Sequence, residues 1–162
     1  MSGYDLHKAI AASVAHFWPA DQAQIYRTQK ELVRDGLVVV EEVEQASRPN
    51  RRLHHITEDG RRELASWMCQ PHPLGMARAP FLIKVFFGDL VNRKELVALL
   101  AARREATETL CSNLNQIVSC TPADGTLGDR LRGATVENGI MHAKAEIAWI
   151  DHMLALLEGS TE

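Results

Sequence analysis

Apolar residues recur at helical spacing from the start of the chain: Leu6, Ile10, Val14 and Phe17 fall on one face between Ser2 and Trp18. Ser2 can cap that helix with Asp5 three residues on, and Pro19-Ala20 ends it. Asp21 opens a second helix with Gln24 at the capping-box position, and Gly36 stops it. Its apolar stripe is Ile25, Leu32 and Val33. The opposite face carries Gln22, Tyr26, Arg27, Lys30 and Arg34. Straight after Gly36, the β-branched run LVVVEEVE (37–44) predicts a strand, residues 45–50 a turn, and RRLHHIT (51–57) the returning strand. Thr57 or Asp59 then opens a helix bearing Leu64, Trp67 and Met68. The order is helix, helix, hairpin, helix.

The second half has longer periods. FLIKVFFGDLV (81–91) is apolar nearly all round, which predicts burial on several sides. From Asn92, capping with Glu95, positions Leu96, Leu100, Arg103, Thr107, Leu110, Leu114 and Ile117 alternate in steps of four and three. The spacing recurs at Val136, Ile140, Ala143, Ile147, Ile150, Leu154 and Leu157. Such rows predict a coiled-coil-like seam, part of which must pack within the chain. The apolar surface exceeds what three helices of one chain cover. The expectation is therefore a homodimer whose contact uses Val136, Ile140, Ile147, Ile150, Leu154 and Leu157.

The Pro-rich stretch at residues 71–80 divides the two textures. We expect a mainly α fold with a small β-hairpin wing: a winged helix-turn-helix over 1–70, a linker over 71–80, and a C-terminal antiparallel helical dimerisation domain over 81–162. Two helices joined by a tight turn present the second to a DNA major groove, whose width admits one helix. The amide, guanidinium, ammonium and phenol groups of the second helix suit base edges and phosphates. The hairpin tip holds Arg48, Arg51 and Arg52 without one acid of its own. The same arginines could instead protect a strand edge from aggregation.

Charge weakens one class of function. Against 18 Lys+Arg stand 21 Asp+Glu, a net of −3, so indiscriminate coating of nucleic acid is disfavoured, while a local basic patch on a near-neutral chain is compatible with the count. Three cysteines without a C-x-x-C pair fit neither a disulfide framework nor a zinc ribbon; they read as small apolar residues in a reducing compartment. The longest apolar run, residues 96–102, falls far short of the ~20 residues that span a bilayer, and the N-terminus lacks a signal-peptide core. A soluble cytoplasmic protein is expected. His54 and His55 are adjacent on a strand and point to opposite faces, and His142 with Glu146 lacks the H-E-x-x-H pattern, so no metal site is expected. No nucleophile–base string, P-loop or dinucleotide fingerprint occurs, so neither an enzyme nor a cofactor is expected.

The strings SGYDLHKAI, W-P-A-D-x-A-Q-I-Y-R (18–27), D-G-L-V (35–38), R-P-N-R-R (48–52) and I-T-E-D-G-R-R-E-L (56–64) resemble the PadR family of transcriptional regulators. FLIKVFF (81–87) and EIAWIDHMLALLE (146–158) resemble its longer class, so the likeness covers essentially the whole chain. The resemblance implies a homodimeric winged-helix regulator, often a repressor, acting on a partly palindromic double-stranded DNA operator. By motif, recognition-helix positions fall on Gln22, Gln24, Tyr26, Arg27 and Lys30, wing positions on Arg48, Asn50, Arg51 and Arg52, and backbone-phosphate contacts on Ser2 and Tyr4. Relatives place effectors between domains or at the dimer interface. Phe86, Met141, Trp149 and Met153 are candidates for a pocket taking a small aromatic or drug-like effector, against the plainer reading as hydrophobic core. Relatives ordinarily carry another apolar helix before SGYDL. This sequence shows none, so Leu6, Ile10 and Phe17 are expected to lack a wall there. The rival reading is a winged-helix-derived protein–protein interaction module without DNA binding.

Overall fold

The computed structural model describes residues 1–44, 51–73, 75, 78–119 and 125–159. They form two compact units, Met1–Gly75 and Met76–Glu162.

In the first unit, α1 (Gly3–Ser13) starts at the full Ser2–Asp5 capping box. It is shorter than the apolar spacing suggests: a turn follows, and Phe17 and Trp18 stay exposed. Helix α2 (Gln22–Arg34) begins where the Asp21 carboxylate accepts from the Gln24 amide at 2.7 Å. It ends at Gly36, whose φ of 72° lets the Gly36 and Leu37 amides reach back to the Val33 and Leu32 carbonyls. Strands β1 (Val38–Val43) and β2 (Arg51–Ile56) pair antiparallel, with Val40 opposite His54 and Glu42 opposite Arg52. Met1 lies along the free edge of β2, accepting from the His54 amide at 2.9 Å and donating its amino group to the His54 carbonyl at 3.2 Å.

Thr57 caps α3 (Glu58–Met68): its hydroxyl accepts from the Gly60 amide and donates to the Gly36 carbonyl. This one hydroxyl ties the end of α2, the end of β2 and the start of α3 together. A side chain at Gly60 would collide with the Leu37 carbonyl oxygen, so the close approach requires glycine. Leu64, Trp67 and Met68 on α3 are exposed in this unit.

The second unit holds α4 (Pro80–Phe86), a 3₁₀ turn (Gly88–Leu90), α5 (Arg93–Ser119) and α6 (Leu127–Gly159). Asn92 and Glu95 exchange backbone-to-side-chain bonds of 2.9 and 3.1 Å at the head of α5. Helices α5 and α6 run antiparallel: Leu96 and Leu100 cluster with Ile150 near one end, and Leu114 clusters with Val136 and Ile140 near the other. The fold is thus a winged helix-turn-helix followed by an antiparallel helical region, as the periodicity predicts.

The two apolar segments of this half are covered unequally within one chain. The apolar row of α6 is occupied first by the chain's own α5. Val136, Ile140 and Ile150 are buried within one chain, Leu154 and Leu157 pack on the Leu100–Ile150 cluster, and Ile147 is half-buried. An antiparallel hairpin satisfies a heptad row as well as a second subunit does. Conversely, residues 81–91, expected to be buried on several sides, are covered on one side within a single chain. Phe81 and Val85 pack inward, but Leu82, Ile83, Phe86, Phe87, Leu90 and Val91 are exposed.

Candidate nucleic-acid interface

The polar face of α2 is open to solvent where the pattern puts it: Gln22, Gln24, Tyr26, Arg27 and Lys30 are all exposed. Its buried side holds Ile25 and Gln29, 5% and 7% exposed. Gln29 is a residue that type alone hides, although its position, four after Ile25 and three before Leu32, sits on the apolar stripe.

Helix α1 crosses α2 closely at Gly3, where a side chain would strike the Tyr26 ring and the Gln29 amide. That approach brings the start of α1 beside α2 and β2 and leaves a cleft of about 480 Å³. Ser2, Tyr4, Tyr26, Lys30, Arg51 and Arg52, six of the residues singled out by sequence, line this one cleft. Gln29 and His54 line it too, and their Oε1 and Nδ1 atoms are buried with no hydrogen-bond partner among the described residues. Gln22 stands beside Tyr26, with 3.5 Å between its Nε2 and the phenol oxygen. Gln24 is not brought to the cleft; it lines a separate hollow with Ile10, Ala11 and Pro19. Arg27 projects from the exposed face between them. Arg48 and Asn50 lie outside the described residues.

The wing arginines have acidic neighbours that the hairpin sequence alone does not reveal. Arg52 Nε is 3.3 Å from Glu42 on the opposite strand, a pair set by the register. The Arg51 guanidinium donates to Asp5, 46 residues away in the first turn of α1. Asp5 also accepts from the Ser2 hydroxyl at 2.7 Å and the Ser2 amide at 3.1 Å. These bonds, from Ser2 and then Arg51, hold its carboxyl at about 2. His55 points away from His54, its Nε2 2.8 Å from Glu41.

The candidate effector residues do not share one place. Trp149 and Met153 pack on the Leu100–Ile150 cluster, with Trp149 edge-on to Phe81 at 6.2 Å. Phe86 and Met141 are 78% and 68% exposed. Trp149 does border a hollow of about 640 Å³ with Phe81, Arg103 and Glu146, a pairing the sequence does not suggest. Among the described residues no group of three His, Cys, Asp or Glu is placed to hold a metal, and no helix is long and apolar enough to cross a membrane.

Comparison with known proteins decides the family. Residues 1–66 match the transcriptional regulator PadR-like family, and residues 77–158 match the family described as virulence activator alpha, C-terminal. The chain belongs to the PadR-like family of transcriptional regulators. The negative transcriptional regulator PadR of Bacillus subtilis is 21% identical over 98% of this chain and 90% of its own length. Its structure in complex with operator DNA superposes with a TM-score of 0.85, covering 97% of this chain and 91% of that one; it has also been solved with p-coumaric acid, at a TM-score of 0.81. The virulence activator AphA of Vibrio cholerae is 26% identical, with a TM-score of 0.77 over 97% of this chain and 89% of its own. A probable transcriptional regulator of Mycobacterium tuberculosis is 37% identical over 43% of this chain and 37% of its own. PadR-like proteins are regulators, not enzymes.

Proposed function

We propose that this PadR-like regulator is a cytoplasmic homodimeric repressor that binds a partly palindromic operator. In this reading residues 1–70, within the Met1–Gly75 unit, are the DNA-binding domain and residues 71–80 the linker. Each protomer sets α2 in a major groove, with Gln22, Gln24 and Arg27 toward base edges. Ser2, Tyr4, Tyr26, Lys30, Arg51 and Arg52 engage phosphates, and Arg48 and Asn50 extend the wing. One observation carries the reading: residues from α1, α2 and β2, distant in sequence, converge on a single basic, tyrosine-bearing cleft beside the exposed face of α2. The repressor role leans on the B. subtilis relative, a negative regulator; the V. cholerae relative, an activator, leans the other way.

The partner subunit covers apolar surface that one chain leaves open, on α4 at Leu82, Ile83 and Phe86 and on α6 at Leu127, Leu131 and Met141. The row from Val136 to Leu157 supports that interface from within. Neighbouring half-sites would then lie about 34 Å apart. A small aromatic effector relieves repression, a reading supported by the p-coumaric acid complex of the relative and by the hollow at Trp149. Phe86 and Met141 join such a pocket only through the second subunit.

A footprint on the promoter region next to the protein's own gene tests this function. Two protected half-sites, lost in Lys30→Ala, are expected. No protection at any concentration that saturates a control repressor would sink it. One observation favours the interaction-module reading: both described wing arginines already have acidic partners.

A further inference from the structure

Three described cations border the cleft, and they are not equally available. Lys30 has no acidic partner among the described residues, Arg52 leans on the exposed Glu42, and Arg51 is held by Asp5. Asp5, the capping-box residue of α1, stands next to this surface. It stands beside Tyr4 at the start of α1, where the helix N-terminus and Lys30, Arg51 and Arg52 outweigh Glu42, the other carboxylate paired with these cations. Its carboxylate offers Arg51 what a phosphate offers, an anionic oxygen: Arg51 Nη2 donates to Oδ2, the same oxygen that accepts both Ser2 bonds. Arg51 lines the cleft and Asp5 stands next to its lining residue Tyr4; the two side chains are 46% and 35% exposed, so the pair is open to solvent.

We propose that Asp5 is an internal stand-in for phosphate that restrains this regulator's affinity for DNA by occupying Arg51 in the free protein. Duplex binding transfers Arg51 from Asp5 to a backbone phosphate and leaves the carboxylate beside that phosphate. Asp5 opposes binding twice, through the pair that must break and through the repulsion that follows. The effect falls on all sequences, because phosphates carry no sequence information. The Ser2 bonds make the restraint firm. They fix the carboxylate in place and keep it ionised, so it cannot relax by swinging away or by taking up a proton. Affinity at this surface is thereby set by α1 as well as by the recognition helix and wing.

The proposal rests on the DNA-binding reading above, and its test separates the two. A labelled random duplex is titrated with the full chain by fluorescence anisotropy at several salt concentrations, using wild type, Asp5→Asn, Asp5→Glu, Arg51→Ala and the Asp5→Asn/Arg51→Ala pair. Asparagine keeps an oxygen for the Ser2 bonds and glutamate keeps the charge. Asp5→Asn should tighten binding about two- to fivefold and steepen the salt dependence, Asp5→Glu should stay near wild type, and the gain should largely vanish without Arg51. Unchanged or weaker binding by a folded Asp5→Asn, or the same gain without Arg51, overturns the restraint while leaving DNA binding intact. No salt-dependent binding by wild type overturns both. Should Asp5→Asn fail to fold, the carbon-13 shift of the Asp5 carboxyl in wild type decides. It should move as duplex saturates the protein, and a static signal from a DNA-bound protein refutes the transfer.

Discussion

Arg103 on α5 holds Glu146 on α6 with both arms of its guanidinium, Nε donating to Oε1 at 2.9 Å and Nη2 to Oε2 at 3.1 Å. The cation also lies over the Phe81 ring, 5.2 Å from its centroid, so one side chain pins α4, α5 and α6 together. Glu146→Gln removes the charge and one of the two acceptor oxygens while leaving the ring contact, and should cost about 0.5–1 kcal/mol, less at high salt. Arg103→Ala also removes the ring contact and should cost more. Urea unfolding of both variants at two salt concentrations checks the order.

Leu100 and Leu110 both belong to the apolar row of α5 but fall on its two alternating positions: Leu100, in step with buried Thr107 and Leu114, is fully buried, and Leu110, in step with exposed Ile117, is 42% exposed. Leu100→Ala should destabilise by about 2–5 kcal/mol through lost burial and a residual cavity. Leu110→Ala should cost under about 1 kcal/mol. Similar losses in thermal melts would mean that a second subunit buries Leu110 as deeply as α6 buries Leu100.

The dimer test follows from the same division. Ile150→Asp would break the α5–α6 contact inside one chain, so it cannot report on dimerisation alone. Ile83→Glu with Phe86→Glu, both on the open face of α4, should leave each chain folded and yield monomers by light scattering. A dimer that persists in that variant places the interface elsewhere.

Acid should reach two capping carboxylates late. Asp5 is held at about 2 by Ser2 and then Arg51, and Asp129 at about 2 by Thr126 and then Arg132, against an ordinary value of 3.8. A carboxyl lowered in the folded state adds stability above its unfolded value and loses it as pH falls toward the folded one. Both caps should therefore hold above pH 4 and weaken between about 4 and 2. Carbon-13 titration should show both midpoints, with Ser2→Ala raising that of Asp5 more than Arg51→Ala does.

Gly60→Ala should lower the stability of the first unit by about 1–3 kcal/mol, because the new methyl meets the Leu37 backbone, which cannot swing aside. Thermal melting measures it, and an unchanged midpoint would mean that the β1–α3 corner yields.

Local chemistry was the legible part of this chain. Asp21 and Gly36 bracket α2, LVVVEEVE and RRLHHIT set the hairpin, and Ser2, Thr57 and Asn92 each cap a helix, because every one of these signals acts within a few residues. The family strings carried the topology. What sequence could not show were partners brought together by tertiary contact: Arg51 with Asp5, Gln29 against Gly3, and Arg103 with both Phe81 and Glu146. The heptad row of α6 was read correctly as a seam, but periodicity does not say which helix lies across it.

In the proposed function, the cleft between α1, α2 and β2 grips the DNA backbone. The slope of log affinity against log salt for a random duplex tests it most directly, in wild type and in Lys30→Ala. Wild type should fall steeply, by roughly 0.9 per phosphate engaged, and Lys30→Ala should bind more weakly with a slope flatter by about one. Affinity that ignores salt in wild type, or that Lys30→Ala leaves untouched, would contradict the account.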